Sequence, residues 1–252
     1  MRRPASVMVE GTELRCGSRV RLRPRRGADV FDIALAGRLA RVEAIEEDTE
    51  GSLHLVVSVD DDPGRDVGGA LAHRFFFAPD EVEPLPPRRI LVAGIGNVFL
   101  ADDGFGVALA ERLAARALPA GVAVVDYGIR GMDLAYALGE GWDAVVLLDA
   151  APTGRAAGTL SVIEPELDGV QPAIDAHGMD PVKVLGLARA LGGPLPRTLV
   201  VACAPEVVMT GEEEDVVAEL SPRVAAALDP AVELVESLLR DLTSAPEEVR
   251  PS

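Results

Sequence analysis

Several kinds of protein are excluded by what this sequence has little of. Among its 252 residues only Cys16 and Cys203 are cysteines. That is too few for a disulfide framework or a four-thiolate zinc site, and the two lie in differently patterned parts of the chain. The usage fits the reduced thiols of a cytoplasm. Basic residues are outnumbered, 24 Lys and Arg against 41 Asp and Glu, for a net charge of −17. Binding to a phosphate backbone needs a clustered surplus of cations, so nucleic acid is not an expected partner, and an anionic membrane surface would repel the chain. No apolar run reaches the ~18 residues of a membrane span. The start, MRRPASVMVEGTEL, has arginines but no apolar segment of a signal peptide. These absences predict a soluble, cytoplasmic protein. Common catalytic signatures are missing as well: there is no H-E-x-x-H, no G-x-S-x-G and no thiol with an obvious base.

Hydrophobic residues make up 48% of the chain, enough for a sizeable core, and the length suits two domains. The proline-rich stretch Pro84, Leu85, Pro86, Pro87 fixes φ repeatedly and reads as a linker. Residues 1–87 are expected to form a small β-barrel or sandwich. The run from Arg19 to Arg23 alternates basic and apolar residues, placing Val20 and Leu22 on one strand face and the arginines on the other. Further strands are predicted at 39–45, 53–59 and 74–77. The arginine stripe reads as a solvated strand face in preference to a docking surface, and His54 and His73 read as structural or surface residues.

Beyond the linker, strands alternate with helices, which predicts an α/β domain over 88–243 with a mostly parallel five-stranded sheet flanked by helices. Its strands are predicted at 90–93, 122–126, 144–149, 160–163 and 198–202, short apolar runs as buried strands are. Helices are predicted at 104–117, 132–138 and 181–191. A last helix has Ser221 as N-cap and Pro222 in its first turn, and runs toward Leu242 with a kink at Pro230. Residues 244–252 are polar and read as a disordered tail.

The first strand of this region runs into Gly94-Ile95-Gly96-Asn97 and then, through Asp102-Asp103-Gly104, into a helix. Ligands in open α/β sheets lie beyond the carboxyl ends of strands, so this junction is where a site belongs. A dinucleotide fingerprint is one reading, supported by Gly94, Gly96 and Asp126. It lacks the third glycine, where Phe99 stands, and two carboxylates near the helix start repel pyrophosphate. Helix capping accounts for one of the two aspartates. A second acid is more than capping requires. Asp149 ends the third predicted strand of this region, either as a functional acid or as a loop-initiating one. His177, the one histidine of the α/β region, sits in a glycine- and acid-flanked stretch ahead of a helix. Two carboxylates and an imidazole at strand and loop ends suit a divalent first-row metal. Cys203 reads as a small buried hydrophobe more readily than as a nucleophile.

Residues 89–109, RILVAGIGNVFLADDGFGVAL, resemble the opening signature of the [NiFe]-hydrogenase maturation endopeptidases. The resemblance continues through Asp126-Tyr127-Gly128 with Gly131-Met132, through Val146 to Ala150, His177 and its following helix, and Ala204-Pro205-Glu206. It spans about the last 165 residues in the family's order. It implies an endopeptidase that removes the C-terminal extension of a hydrogenase large-subunit precursor after nickel insertion. It also implies metal-contacting and catalytic roles for Asp103, Asp149 and His177, with nickel supplied by the substrate rather than held by the free protease. Asp103 stands where the family usually carries glutamate, one methylene longer, and the segment before the linker has no counterpart in its minimal members. The alternatives are a nickel-binding maturation chaperone that uses the same residues without hydrolysis, and a dinucleotide-binding oxidoreductase.

Overall fold

The computed structural model describes residues 2–25, 34–59, 73–165, 180–192, 194–209, 211, 213 and 216–244. The chain divides into two compact units whose main segments are Met1–Pro87 and Arg88–Thr243.

The first unit begins with a hairpin of β1 (Ser6–Val9) and β2 (Thr12–Arg15). Glu10 and Gly11 turn it with φ of 46° and 82°, the twist that matches a tight two-residue connection to the flanking strands. The strands β3 (Arg19–Leu22), β4 (Leu39–Glu47), β5 (Leu53–Val59), β6 (Phe75–Phe77) and β7 (Val82–Pro84) form an antiparallel sheet in the order β6-β5-β4-β3-β7. Alternation sends Val20, Leu22, Ala40, Val42, Leu55 and Val57 into one core. On the other face Arg21 and Arg23 converge on Glu83, at 3.2 and 2.7 Å, so part of the arginine stripe is ion-paired within the sheet. The expectation that Pro84 opens the linker is corrected. It ends β7, opposite Val20, on an edge strand, where a missing N–H leaves no ladder bond unmade.

The second unit runs β8 (Ile90–Ile95), α1 (Phe105–Ala114), β9 (Val122–Gly128), α2 (Gly131–Leu138), β10 (Ala144–Ala150), β11 (Leu160–Ile163), α3 (Pro181–Ala190), β12 (Arg197–Cys203) and α4 (Pro222–Ser244). The sheet order is β11-β12-β10-β8-β9, parallel throughout except for β11, which runs antiparallel to β12. This is the mostly parallel five-stranded sheet that the apolar runs predict.

Alternation along the buried strands splits the core into two layers. Ile90, Val92, Val146, Leu148 and Val201 face α1 and α4, where Phe105, Leu109, Leu113, Val224, Leu228, Val235 and Leu239 cover them. Leu91, Ala93, Ile95, Val145, Leu147 and Val200 face the other way, against Leu134 and Leu138 of α2 and Val184 and Leu185 of α3. The helix of α4 continues through Pro230. Among the described residues, no helix is long and apolar enough to cross a membrane.

Candidate active site

The carboxyl ends of β8 and β10 lie side by side, Gly94 in register with Leu148. The start of α1 is pressed onto them. A Cβ on Gly106 would stand 2.1 Å from the Leu148 carbonyl oxygen and 2.4 Å from that of Ile95. Only glycine lets the helix approach both strand ends. That approach brings Asp103, three residues before Gly106, toward Asp149, which follows Leu148. Gly106→Ala is therefore expected to force α1 off the sheet. It should destabilise the protein by several kcal/mol, on the order of a severe overpacking substitution, and lower activity with it. Urea titration checks the first effect, and unchanged stability would contradict the packing account.

Between β8 and α1, Ala101–Gly104 forms a short 3-10 turn. Ala101 has a φ of 51°, a left-handed conformation that costs a residue with a Cβ roughly 1–2 kcal/mol. Its N–H donates to the Val217 carbonyl at 2.6 Å. Neither Asp102 nor Asp103 caps a helix, since no side-chain cap bond forms at this turn or at α1. Asp102 has another task. It is fully buried and its Oδ2 accepts from the Glu206 and Val207 N–H groups, both at 2.8 Å, and from the Ser221 hydroxyl at 2.9 Å. Its Oδ1 accepts from the Ser221 N–H at 2.7 Å. Burial pushes this carboxyl up, and the bonds from Val207, Ser221 and Glu206 outweigh it, leaving the group below its ordinary value. Ser221 stands at the start of α4 as expected, but its hydroxyl donates to Asp102.

Asp103 faces the glycine turn. Its Oδ2 accepts from the Asn97 N–H at 2.5 Å. Gly96, at a φ of 122°, packs so closely that a Cβ there would stand 1.9 Å from the Asp103 carbonyl oxygen. Burial raises the Asp103 carboxyl above its ordinary range, and the Asn97 bond only partly offsets this. Asp149 is 5% exposed. Burial, then the charge of Asp103, lifts it well above the carboxylate range. A bond from the Ala150 N–H opposes the rise, and the charge of Asp180 adds to it. Asp180 caps α3, its side chain accepting from the Val182 N–H at 2.9 Å.

The structure thus brings Asp103 and Asp149 into one electrostatic site and adds Asp180, which sequence reasoning passed over. The Asp180-Pro181 pair was its legible signal, as an N-cap ahead of a proline at the first helical position. His177 lies outside the described residues. Among the described residues, no three His, Cys, Asp or Glu side chains are grouped to hold a metal ion.

Two rival chemistries lose their footing here. Cys203 is fully buried at the end of β12, and burial, with the charge of Asp102, pushes its thiol up to about 11. A thiol so placed is a core hydrophobe. The glycine turn offers no phosphate cradle, because the Gly96 N–H donates to the Gly128 carbonyl at 3.0 Å and the Asn97 N–H to Asp103.

Asp103, in the turn before α1, and Asp149, near the end of β10, thus stand at the carboxyl end of an open α/β sheet with neither thiol nor nucleotide chemistry beside them. The profile of the hydrogenase maturation protease family matches residues 107–238. The chain belongs to the hydrogenase maturation protease family. It is 36% identical over 151 residues to the hydrogenase expression/formation protein HupD of Rhodobacter capsulatus, covering 58% of this chain and 69% of that protein. To the hydrogenase 2 maturation protease of Escherichia coli it is 34% identical over 163 residues, 61% of this chain and 92% of the relative. Among solved structures, the hydrogenase maturating endopeptidase HybD from E. coli aligns at 32% identity over 61% of this chain and 93% of that one, with a TM-score of 0.49. As a hydrogenase maturation protease, the chain is a peptide hydrolase.

Proposed function

We propose that this hydrogenase maturation protease removes the C-terminal extension of a [NiFe]-hydrogenase large-subunit precursor after nickel insertion, and that it does so in the cytoplasm. The observation that carries the reading is the approach of α1 to the ends of β8 and β10 at Gly106, which brings Asp103 of the turn before α1 toward Asp149 near the end of β10, where burial raises both carboxyls. A buried carboxylate, Asp149, beside a half-buried one, Asp103, favours a cation between them, because a positive charge relieves both their repulsion and the burial penalty. In this reading the cation is the nickel of the substrate, and His177, three residues before the N-cap of α3, supplies the nitrogen contact. Holding the ion fixes the precursor against the enzyme, so that the scissile bond is delivered in one orientation. The residues 1–87 are assigned no part in cleaving the bond.

The test is side-by-side incubation of the purified protein with nickel-loaded and nickel-free precursor, read by mass spectrometry. The loaded precursor should be shortened and the nickel-free one left intact. Equal shortening of both removes the metal dependence. An unchanged mass of the loaded precursor removes proteolysis and leaves the non-hydrolytic carrier.

A further inference from the structure

We propose that the apolar surface beside Asp103 seats an extended, apolar stretch of the precursor next to its scissile bond, and that this stretch is flanked by basic rather than acidic residues. The inference deepens the proteolytic reading and rests on it. Six exposed side chains make the surface: Val98, Phe99, Val207, Val208, Val216 and Val217. Phe99 is 59% exposed, Val208 71% and Val216 68%. They belong to three stretches of chain that the backbone ties to one turn. The Val217 N–H donates to the Phe99 carbonyl at 3.3 Å, the Val217 carbonyl accepts from Ala101, and Leu100 bridges Val217 in parallel. The Val207 N–H is held by Asp102. Each stretch is therefore anchored within a few residues of Asp103.

Single exposed apolar side chains are ordinary on a protein surface, but a group of them gathered at the mouth of a site favours an apolar occupant. A protease acts on a peptide that must lie across that mouth, so the occupant is the substrate segment adjoining the cut. Charge narrows its composition. The chain carries −17 overall. Glu206 precedes Val207, and Asp103 and Asp149 stand alongside. The net negative charge and the nearby Asp103 and Asp149 disfavour an acidic segment, whereas basic residues on either side of an apolar stretch complement them.

The test uses the full-length protein and its Phe99→Ser/Val208→Ser double variant, whose altered positions are exposed and leave the core untouched. A fluorescein-labelled peptide of valines and leucines with lysines at both ends is titrated against each, beside the same peptide with glutamates at both ends. The lysine-flanked peptide should bind the wild type more tightly than the glutamate-flanked one, and about tenfold more weakly to the variant. With nickel-loaded precursor, KM should rise by about tenfold while kcat stays within about twofold. Equal peptide binding by both proteins, a preference for the acidic peptide, or an unchanged KM would overturn the proposal. So would a wild-type dimer that the double variant turns into a monomer with KM unaltered, because the surface would then be a self-association face. Failure of the wild type to cut loaded precursor counts against proteolysis itself, while the peptide titration still reads the surface.

Discussion

Asp102→Ala is expected to destabilise the α/β unit by about 2–3 kcal/mol, because the buried Ser221 N–H and the part-buried N–H groups of Glu206 and Val207 lose their acceptor, a buried loss costing about 1–3 kcal/mol and a part-buried one less. The Ser221 hydroxyl is orphaned with them. The damage reaches across the fold, since the carboxylate joins the turn after β8 to the loop after β12 and to the start of α4. Asp102→Asn preserves the shape but exchanges an acceptor oxygen for an NH2 facing donors, so it should recover little.

The acid titration carries a second signature. The folded Asp102 lies below its ordinary value, whereas an unfolded aspartate titrates near ~3.9. Its contribution is fully present above the unfolded value and is lost as pH falls through the folded one. Urea denaturation at pH 7 and near pH 3 should therefore show the wild type losing this stability on acidification, with the alanine variant lacking that component. Wild-type stability in Asp102→Ala at pH 7 would contradict the assigned bonds.

The second large effect is opposite in sign for stability and activity. Asp149→Asn should make the protein more stable at neutral pH and reduce cleavage of nickel-loaded precursor by at least about a hundredfold. The buried Asp149 carboxyl is raised by burial and by the charges of Asp103 and Asp180, so its ionised form is disfavoured in the folded protein. Stability is lowest above the folded value and increases as pH falls from there toward the unfolded value. A neutral amide of the same size removes that penalty while withdrawing the charge a substrate cation would meet. A higher thermal midpoint together with lost cleavage is the expected pairing. Undiminished cleavage would remove Asp149 from the catalytic set, and a lower midpoint would contradict its electrostatic strain.

Much of the second unit was legible because its signals are local. The apolar runs of β8, β10 and β12 alternate inward on both sheet faces, those of β8 and β10 giving way to a glycine turn and an acid, and the structure only lengthens the three by a residue or two at their ends. In the first unit the hairpin of β1 and β2 and the edge strand β7 were passed over. Each is a short strand of three or four residues, too brief for alternation to register, and the proline in β7 argues locally against a strand. Asp180 was passed over for a related reason. A capping aspartate satisfies its helix locally, and nothing nearby in the sequence reveals that its charge reaches Asp149.

By itself the sequence determined the division at the proline stretch, the order of strands and helices beyond it, the acids that close β10 and precede α1, and the resemblance those residues carry. These follow from hydrophobic period, turn chemistry and motif order, all readable over a few neighbouring positions. Only the tertiary structure decided which member of the Asp102 and Asp103 pair turns inward. The two share the same local sequence, and capping rules treat them nearly alike. The difference lies in donors more than 100 residues further along the chain, which exist only once β12 and the start of α4 have packed beside the turn. With those N–H groups holding Asp102 as a structural anion, Asp103 is left to face Asp149.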